Sequence, residues 1–211
     1  MRKCVLLILA LASAFLPGYG GDNGFAGTGE KPSLVELVER GDSDLFSLAF
    51  ERYRTDTRDL PIGVFDSGIG GLTVLTEIVH LDDFNNQTHK PEPDGHPDFE
   101  NERFIYLGDQ ANMPYGNYPS ENKVDFLREL ILKDAVFLLG MRYWLSATAE
   151  TPRFDKPPVK AIVIACNTAS VQTPKLKDKF DIPILNVIDP AVKEAAKTTR
   201  NRRIGVIGTL G

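Results

Sequence analysis

Cys166-Asn167-Thr168 follows the apolar run from Ala161 to Ile164 and precedes the small residues Ala169 and Ser170, so the thiol stands where a buried strand would end and a helix begin. There it faces unpaired backbone N–H groups and the positive end of the helix dipole, which favour thiolate, the form that acts as base or nucleophile. The competing reading is an inert thiol, because free cysteine is among the most often buried residue types. A second reactive string, Asp66-Ser67-Gly68-Ile69-Gly70-Gly71, follows the apolar run Ile62 to Phe65. Its glycines allow a sharp strand-to-helix turn and close backbone approach to an anion. The Asp66 carboxylate would project into the same space or cap the following helix. Further polar groups follow other apolar runs: Asp109-Gln110 and Pro114-Tyr115-Gly116 after Phe104 to Leu107, Asp189-Pro190 after Ile184 to Val187, and Gly208-Thr209 after Ile204 to Ile207. Carboxylates, hydroxyls, an amide and a thiol that converge there would form a polar pocket, and the partner expected is a small molecule. A dinucleotide fingerprint fits poorly, since Thr73 occupies the place of the third glycine and Asp109 lies about twice as far along as the usual acid.

The elements that must position these groups alternate. Ile62 to Phe65, Phe104 to Leu107, Val159 to Ala165, Ile184 to Val187 and Ile204 to Ile207 are rich in β-branched and apolar residues without strict alternation, as in strands buried on both faces. Helices are expected at Leu72 to Leu81, Glu121 to Leu145, Ala169 to Phe180 and Ala191 to Thr199. Strand alternating with helix predicts an α/β fold with a parallel sheet flanked by helices, in which ligands bind beyond the carboxyl ends of the strands. The polar, Pro-containing stretches 82–102 and 146–158 read as surface insertions.

Composition narrows the function. The chain has 211 residues, 42% hydrophobic, with a formal net charge of −5, which suits one globular domain with appended segments and argues against a nucleic-acid partner. Cys4 and Cys166 are its two cysteines, too few for a disulfide framework, and His80, His89 and His96 lack metal-ligand spacing. At the start, Met1-Arg2-Lys3, an apolar run from Val5, and Ala12-Ser13-Ala14 read as a signal peptide within residues 1–21, which would export the chain to the periplasm; a cytoplasmic chain with an apolar start is the alternative. The apolar run is too short to span a bilayer, so no stable membrane span is expected after signal removal. Residues 22–59 then read as a linker followed by an extra amphipathic helix, opened by the capping-box string Ser33-Leu34-Val35-Glu36.

Phe65-Asp66-Ser67-Gly68-Ile69-Gly70-Gly71-Leu72, Tyr106-Leu107-Gly108-Asp109 with Pro114-Tyr115-Gly116, Ala165-Cys166-Asn167-Thr168-Ala169-Ser170, and Arg203-Ile204-Gly205-Val206-Ile207-Gly208-Thr209 resemble, in order, the motifs of glutamate racemases. The resemblance covers 60–211 without the two insertions. It implies the flavodoxin-like first half of a two-domain racemase, acting without a cofactor. In that family two cysteines on opposite faces of the substrate take and return the α-proton of glutamate, supplying D-glutamate for peptidoglycan. By resemblance Cys166 is the first catalytic cysteine and Asp66 the carboxylate that assists it. Asp66, Ser67, Tyr115, Gly116, Asn167 and Thr168 match substrate-binding positions. The family's second cysteine belongs to a Cys-Thr-His string in the other half, and no cysteine follows Cys166 here. Three readings follow: a fragmentary racemase, a non-catalytic remnant that binds an amino acid or a protein, or a homo-oligomer whose copies each supply Cys166.

Overall fold

The computed structural model describes residues 56–146, 148–177 and 182–208, together with 53, 180 and the backbone of 5–8. The linker and amphipathic helix expected before residue 53, with their capping box, lie outside these residues. Among those described, the elements are β1 (Val5–Ile8), β2 (Ile62–Asp66), α1 (Gly71–His80), β3 (Phe104–Gly108), a short 3₁₀ turn (Gln110–Asn112), α2 (Asn117–Ser120), α3 (Val124–Leu139), β4 (Ala161–Ile164), α4 (Asn167–Ser170), α5 (Thr173–Lys177), β5 (Ile184–Asn186) and α6 (Ile188–Thr198). No helix among them is long and apolar enough to cross a membrane.

The strands form one parallel sheet in the order β1-β3-β2-β4-β5. Its edge strand β1 comes from the apolar run that reads in the sequence as the core of an export signal. Successive residues of the inner strands enter different cores. Val64, Phe104 and Tyr106 join Leu75 of α1 with Val163 at its margin, whereas Phe65, Ile105, Leu107, Ile162 and Ile164 join the α3 residues Leu127, Ile131, Ala135 and Leu138. Both faces are therefore covered by helix, which is why the strand sequences show no apolar–polar alternation.

Helix boundaries differ from the sequence expectation for local reasons. The segment expected as one helix from Glu121 to Leu145 is α3 alone, because Asn122 takes a positive φ of 58° before it and Gly140 turns extended after Leu139. The 169–180 helix divides into α4 and α5, with Pro174 in the first turn of α5, where its missing N–H is harmless. Pro190 likewise sits in the first turn of α6, which begins three residues ahead of Ala191. The strand expected at Ile204 to Ile207 does not form. Ile204, Val206 and Ile207 are exposed and pair with none of the described strands, and β-branched composition makes a strand only where a neighbouring ladder accepts it.

The stretch 82–102 is bonded within itself, and the stretch 146–158 is tied back to residues 138 and 143. In the first, the Asp82 carboxylate accepts the N–H groups of Asp94 and Gly95, and Asp98 accepts those of Asp83 and Phe84. In the second, Tyr143 and Arg153 exchange backbone hydrogen bonds, and the buried Lys156 ammonium donates to the Leu138 carbonyl near the end of α3.

Two glycines allow the strand ends to meet. A Cβ on Gly71 would lie 2.8 Å from the Cβ atoms of both Ala165 and Asp66, and a Cβ on Gly108 would strike the Gly68 carbonyl oxygen. Gly71→Ala and Gly108→Ala are each expected to lower unfolding free energy by about 1–3 kcal/mol in urea titrations, as overpacking does in a filled interior. Wild-type midpoints in both variants would show that the strand ends are loosely packed.

Candidate active site

The first strand of this α/β unit, β2, has β3 on one side and β4 on the other, so the chain order reverses across it. Open parallel sheets hold ligands at such a switch point, beyond the strand carboxyl ends. Backbone hydrogen bonds extend the ladders past the strands at this place: Ala165 N–H donates to the Phe65 carbonyl at 2.8 Å, and Asp109 N–H to the Asp66 carbonyl at 3.0 Å. Three loops thus leave the sheet side by side, carrying Asp66-Ser67, Asp109 and Cys166.

Cys166 occupies the N-cap position of α4 in extended conformation, its carbonyl accepting the Ser170 N–H and hydroxyl while its side chain makes no cap bond. The thiol is left to point elsewhere. It donates to the Ser67 hydroxyl at 3.5 Å, across 99 positions of sequence, and the residue is 7% exposed. Asp66, equally buried, turns its carboxylate to the start of α1, where Oδ2 accepts the Gly71 N–H at 2.9 Å. The cap reading of Asp66 is therefore realised in the structure. The second carboxylate oxygen makes no such bond to the helix start.

Tyr106 was not among the residues singled out by the sequence, because a tyrosine inside an apolar run reads as core. Its hydroxyl donates to the Gly68 carbonyl at 2.9 Å and so braces the glycine turn from below. Burial, then the negative charge of Asp66, raises its pKa above the ordinary tyrosine value, with a smaller contribution from Cys166. It stays a neutral donor next to both groups.

The remaining expected residues divide. Ser67 and Thr168 are half-buried and Asn167 is exposed, all at the mouth formed by the β2 and β4 loops. Gly116 begins α2 on the loop after β3. Tyr115 is fully buried, and its hydroxyl lies 2.7 Å from both Asp109 Oδ2 and Asp134 Oδ2. It anchors its loop from within and does not offer its hydroxyl to the mouth. Asp109, wholly buried, also accepts the side-chain amide of Asn112 at 2.9 Å and the Lys133 ammonium at 3.2 Å. Neither Lys133 nor Asp134 carries a signal in the sequence, where they interrupt the apolar face of α3 as ordinary helix polar residues.

At the end of β5, Asn186 accepts the N–H groups of Ile188 and Asp189 and donates to the Asp189 carboxylate at 3.0 Å, closing the first turn of α6. A groove of about 290 Å³ runs beside it, lined by Ser170, Thr173, Pro174, Lys177, Asn186 and Asp189. Cys166 is not in its lining. The groove lies over the helix that Cys166 caps.

The Asp/Glu/Hydantoin racemase family matches residues 143–211. The glutamate racemase of Enterococcus faecalis is 42% identical over 151 residues, which is 71% of this chain and 42% of that protein. That of Corynebacterium diphtheriae is 41% identical over 152 residues, 72% of this chain and 43% of its own length. A crystal structure of glutamate racemase from Thermus thermophilus in complex with beta-chloro-D-alanine is similar at 32% identity, covering 66% of this chain and 41% of that one, with a TM-score of 0.42. The chain spans less than half the length of these relatives. Over the part they share, the chain is a homologue of the glutamate racemases, and its residues 143–211 match the Asp/Glu/Hydantoin racemase family.

Proposed function

We propose that this chain supplies one face of a cofactor-independent glutamate racemase site, with Cys166 as the acid/base. The observation that supports it is the Cys166 thiol set against Ser67, the residue after Asp66, at the sheet's switch point. As thiolate, Cys166 takes the α-proton and leaves the electron pair on the α-carbon, in conjugation with the carboxylate. As thiol, it returns a proton to the same face. Inversion needs a second acid on the opposite face, and this sequence has no cysteine after Cys166. Free backbone N–H groups at the start of α4 and in the Gly68–Gly70 turn suit the substrate carboxylates. Ser67, Asn167 and Thr168 bring side-chain donors to the same mouth, and Gly116 borders it from the β3 loop. Tyr115 serves by holding that loop. Asp66 contacts the substrate amine and assists proton transfer. In a cell the product would be D-glutamate for peptidoglycan.

Purified chain incubated with L-glutamate in D₂O is expected to exchange the α-proton without inverting the carbon, seen as loss of the α-proton NMR signal with the circular dichroism of glutamate unchanged. Cys166→Ala is expected to abolish the exchange, and exchange that survives it would remove Cys166 from the role. Glutamate binding with no exchange at all would favour a binding protein built on the same fold.

Asp66 separates structure from chemistry. Asp66→Asn keeps an oxygen for the Gly71 N–H, so its unfolding midpoint is expected to stay near wild type while exchange falls at least ~10-fold, the low end of what one acid/base group contributes. Asp66→Ala is expected to lose exchange and about 1 kcal/mol of stability, the usual cost of a missing helix cap. Full exchange in Asp66→Asn would leave Asp66 as a cap alone.

A further inference from the structure

Below the candidate site, four side chains from three elements meet, three of them buried and Lys133 partly exposed. Asp109 directly follows β3, Tyr115 lies in the same loop, and Lys133 and Asp134 stand on α3. Asp109 is 0% exposed, Tyr115 1% and Asp134 3%. The Tyr115 oxygen is 2.7 Å from a carboxylate oxygen on each side. A tyrosine hydroxyl has one proton and can donate to only one of them. If both aspartates were ionised, the other contact would set a lone pair against a buried anion at hydrogen-bond distance. Such an unmade bond costs most where water cannot substitute.

The rest of the geometry decides which carboxyl carries the extra proton. Asp109 is surrounded by donors: the Asn112 amide reaches both its oxygens, Lys133 lies 3.2 Å from Oδ2, and Tyr115 completes the set. It accepts throughout. Asp134 has Lys133 at a looser 3.4 Å from Oδ1, and its Oδ2 meets the tyrosine. We infer that Asp134 is held as a neutral carboxylic acid that donates to Tyr115, so that a directed chain from Asp134 through Tyr115 to Asp109 positions the 109–116 loop on α3. Because the Asp109 N–H is bonded to the Asp66 carbonyl, the same chain fixes the β2 strand end. Asp134 is a positioning residue that touches no substrate. Its protonation stands on geometry; that the positioned loop borders a substrate rests on the racemase reading.

The charged and titratable groups facing Asp134 are Lys133 on its own helix, and Asp109 and Tyr115 from the loop after β3. Burial pushes the Asp134 carboxyl up to about 7, and Asp109 adds to that, against an opposing pull from Lys133. A carboxyl raised in the folded state binds more protons folded than unfolded, so stability falls as pH rises between about 4 and about 7. Lys156, which burial pushes down to about 7, acts with the opposite sign and above that window.

The test is an NMR titration of the full chain labelled with ¹³C at the aspartate carboxyls. One carboxyl is expected to keep its protonated shift to about pH 6, well past an ordinary aspartate, and to vanish from the spectrum of Asp134→Asn. Every aspartate ionising below about pH 5, or the late signal persisting in Asp134→Asn, would overturn the inference. The backbone amides of 109–116 are expected to shift with the same midpoint, and if they stay still the positioning role fails. Should Asp134→Asn not fold, Tyr115→Phe serves instead: loss of the shared hydroxyl is expected to move the late midpoint, and an unmoved midpoint overturns the chain of hydrogen bonds. Failure of glutamate exchange in D₂O with this titration intact would count against the racemase reading alone.

Discussion

The parallel pairing of β2 with β4 is the constraint on which the site depends. Phe65 stands opposite Ile164, and one further bond, Ala165 N–H to the Phe65 carbonyl, carries the ladder to the edge of the thiol. Two loops separated by 99 positions are thereby brought to 3.5 Å. A slip of one residue in that register would reverse the face to which every β4 side chain points relative to β2, because side-chain direction alternates along a strand. Register is held by what each face buries. Val64 and Val163 belong to the α1 core and Phe65 and Ile164 to the α3 core, so a slip would exchange every one of these environments.

The polar groups around the thiol are fastened by bonds that leave it free. Asp66 is held by the Gly71 N–H, the glycine turn by Tyr106, and the Cys166 carbonyl by Ser170. Each bond satisfies a backbone group that the strand-to-helix turn would otherwise leave open. Gly71 and Gly108 contribute by absence: a methyl group at either would hold the strand ends apart. Rigidity here comes from main-chain hydrogen bonds and close packing, with the Cys166 sulfur carrying a long contact to a hydroxyl.

Beneath this layer the sheet is joined to α3 through Tyr115. A tyrosine buried between two carboxylates is costly unless protons are distributed to suit. The distribution inferred for Asp134, Tyr115 and Asp109 gives every donor an acceptor and aligns the chain toward the strand end that bears Asp66. The loop motif Pro114-Tyr115-Gly116 thus works from inside: its ring fills the core beside Phe65 at a centroid separation of 6.3 Å, and its hydroxyl anchors the backbone.

The sequence by itself determined the elements that short-range physics governs. Apolar runs without alternation named β2 through β5, glycine and cap residues placed the turns, and the reactive strings fell at strand ends. Ile204 to Ile207 shows the limit, since its composition is that of a strand and no described strand accepts it. Tertiary structure alone decided strand order, and with it the meeting of Cys166 with Ser67. It also assigned Tyr115, Lys133 and Asp134 to one buried cluster. Those outcomes depend on contacts between distant segments, and local pattern fixes which residues face a core but not which neighbour they will face.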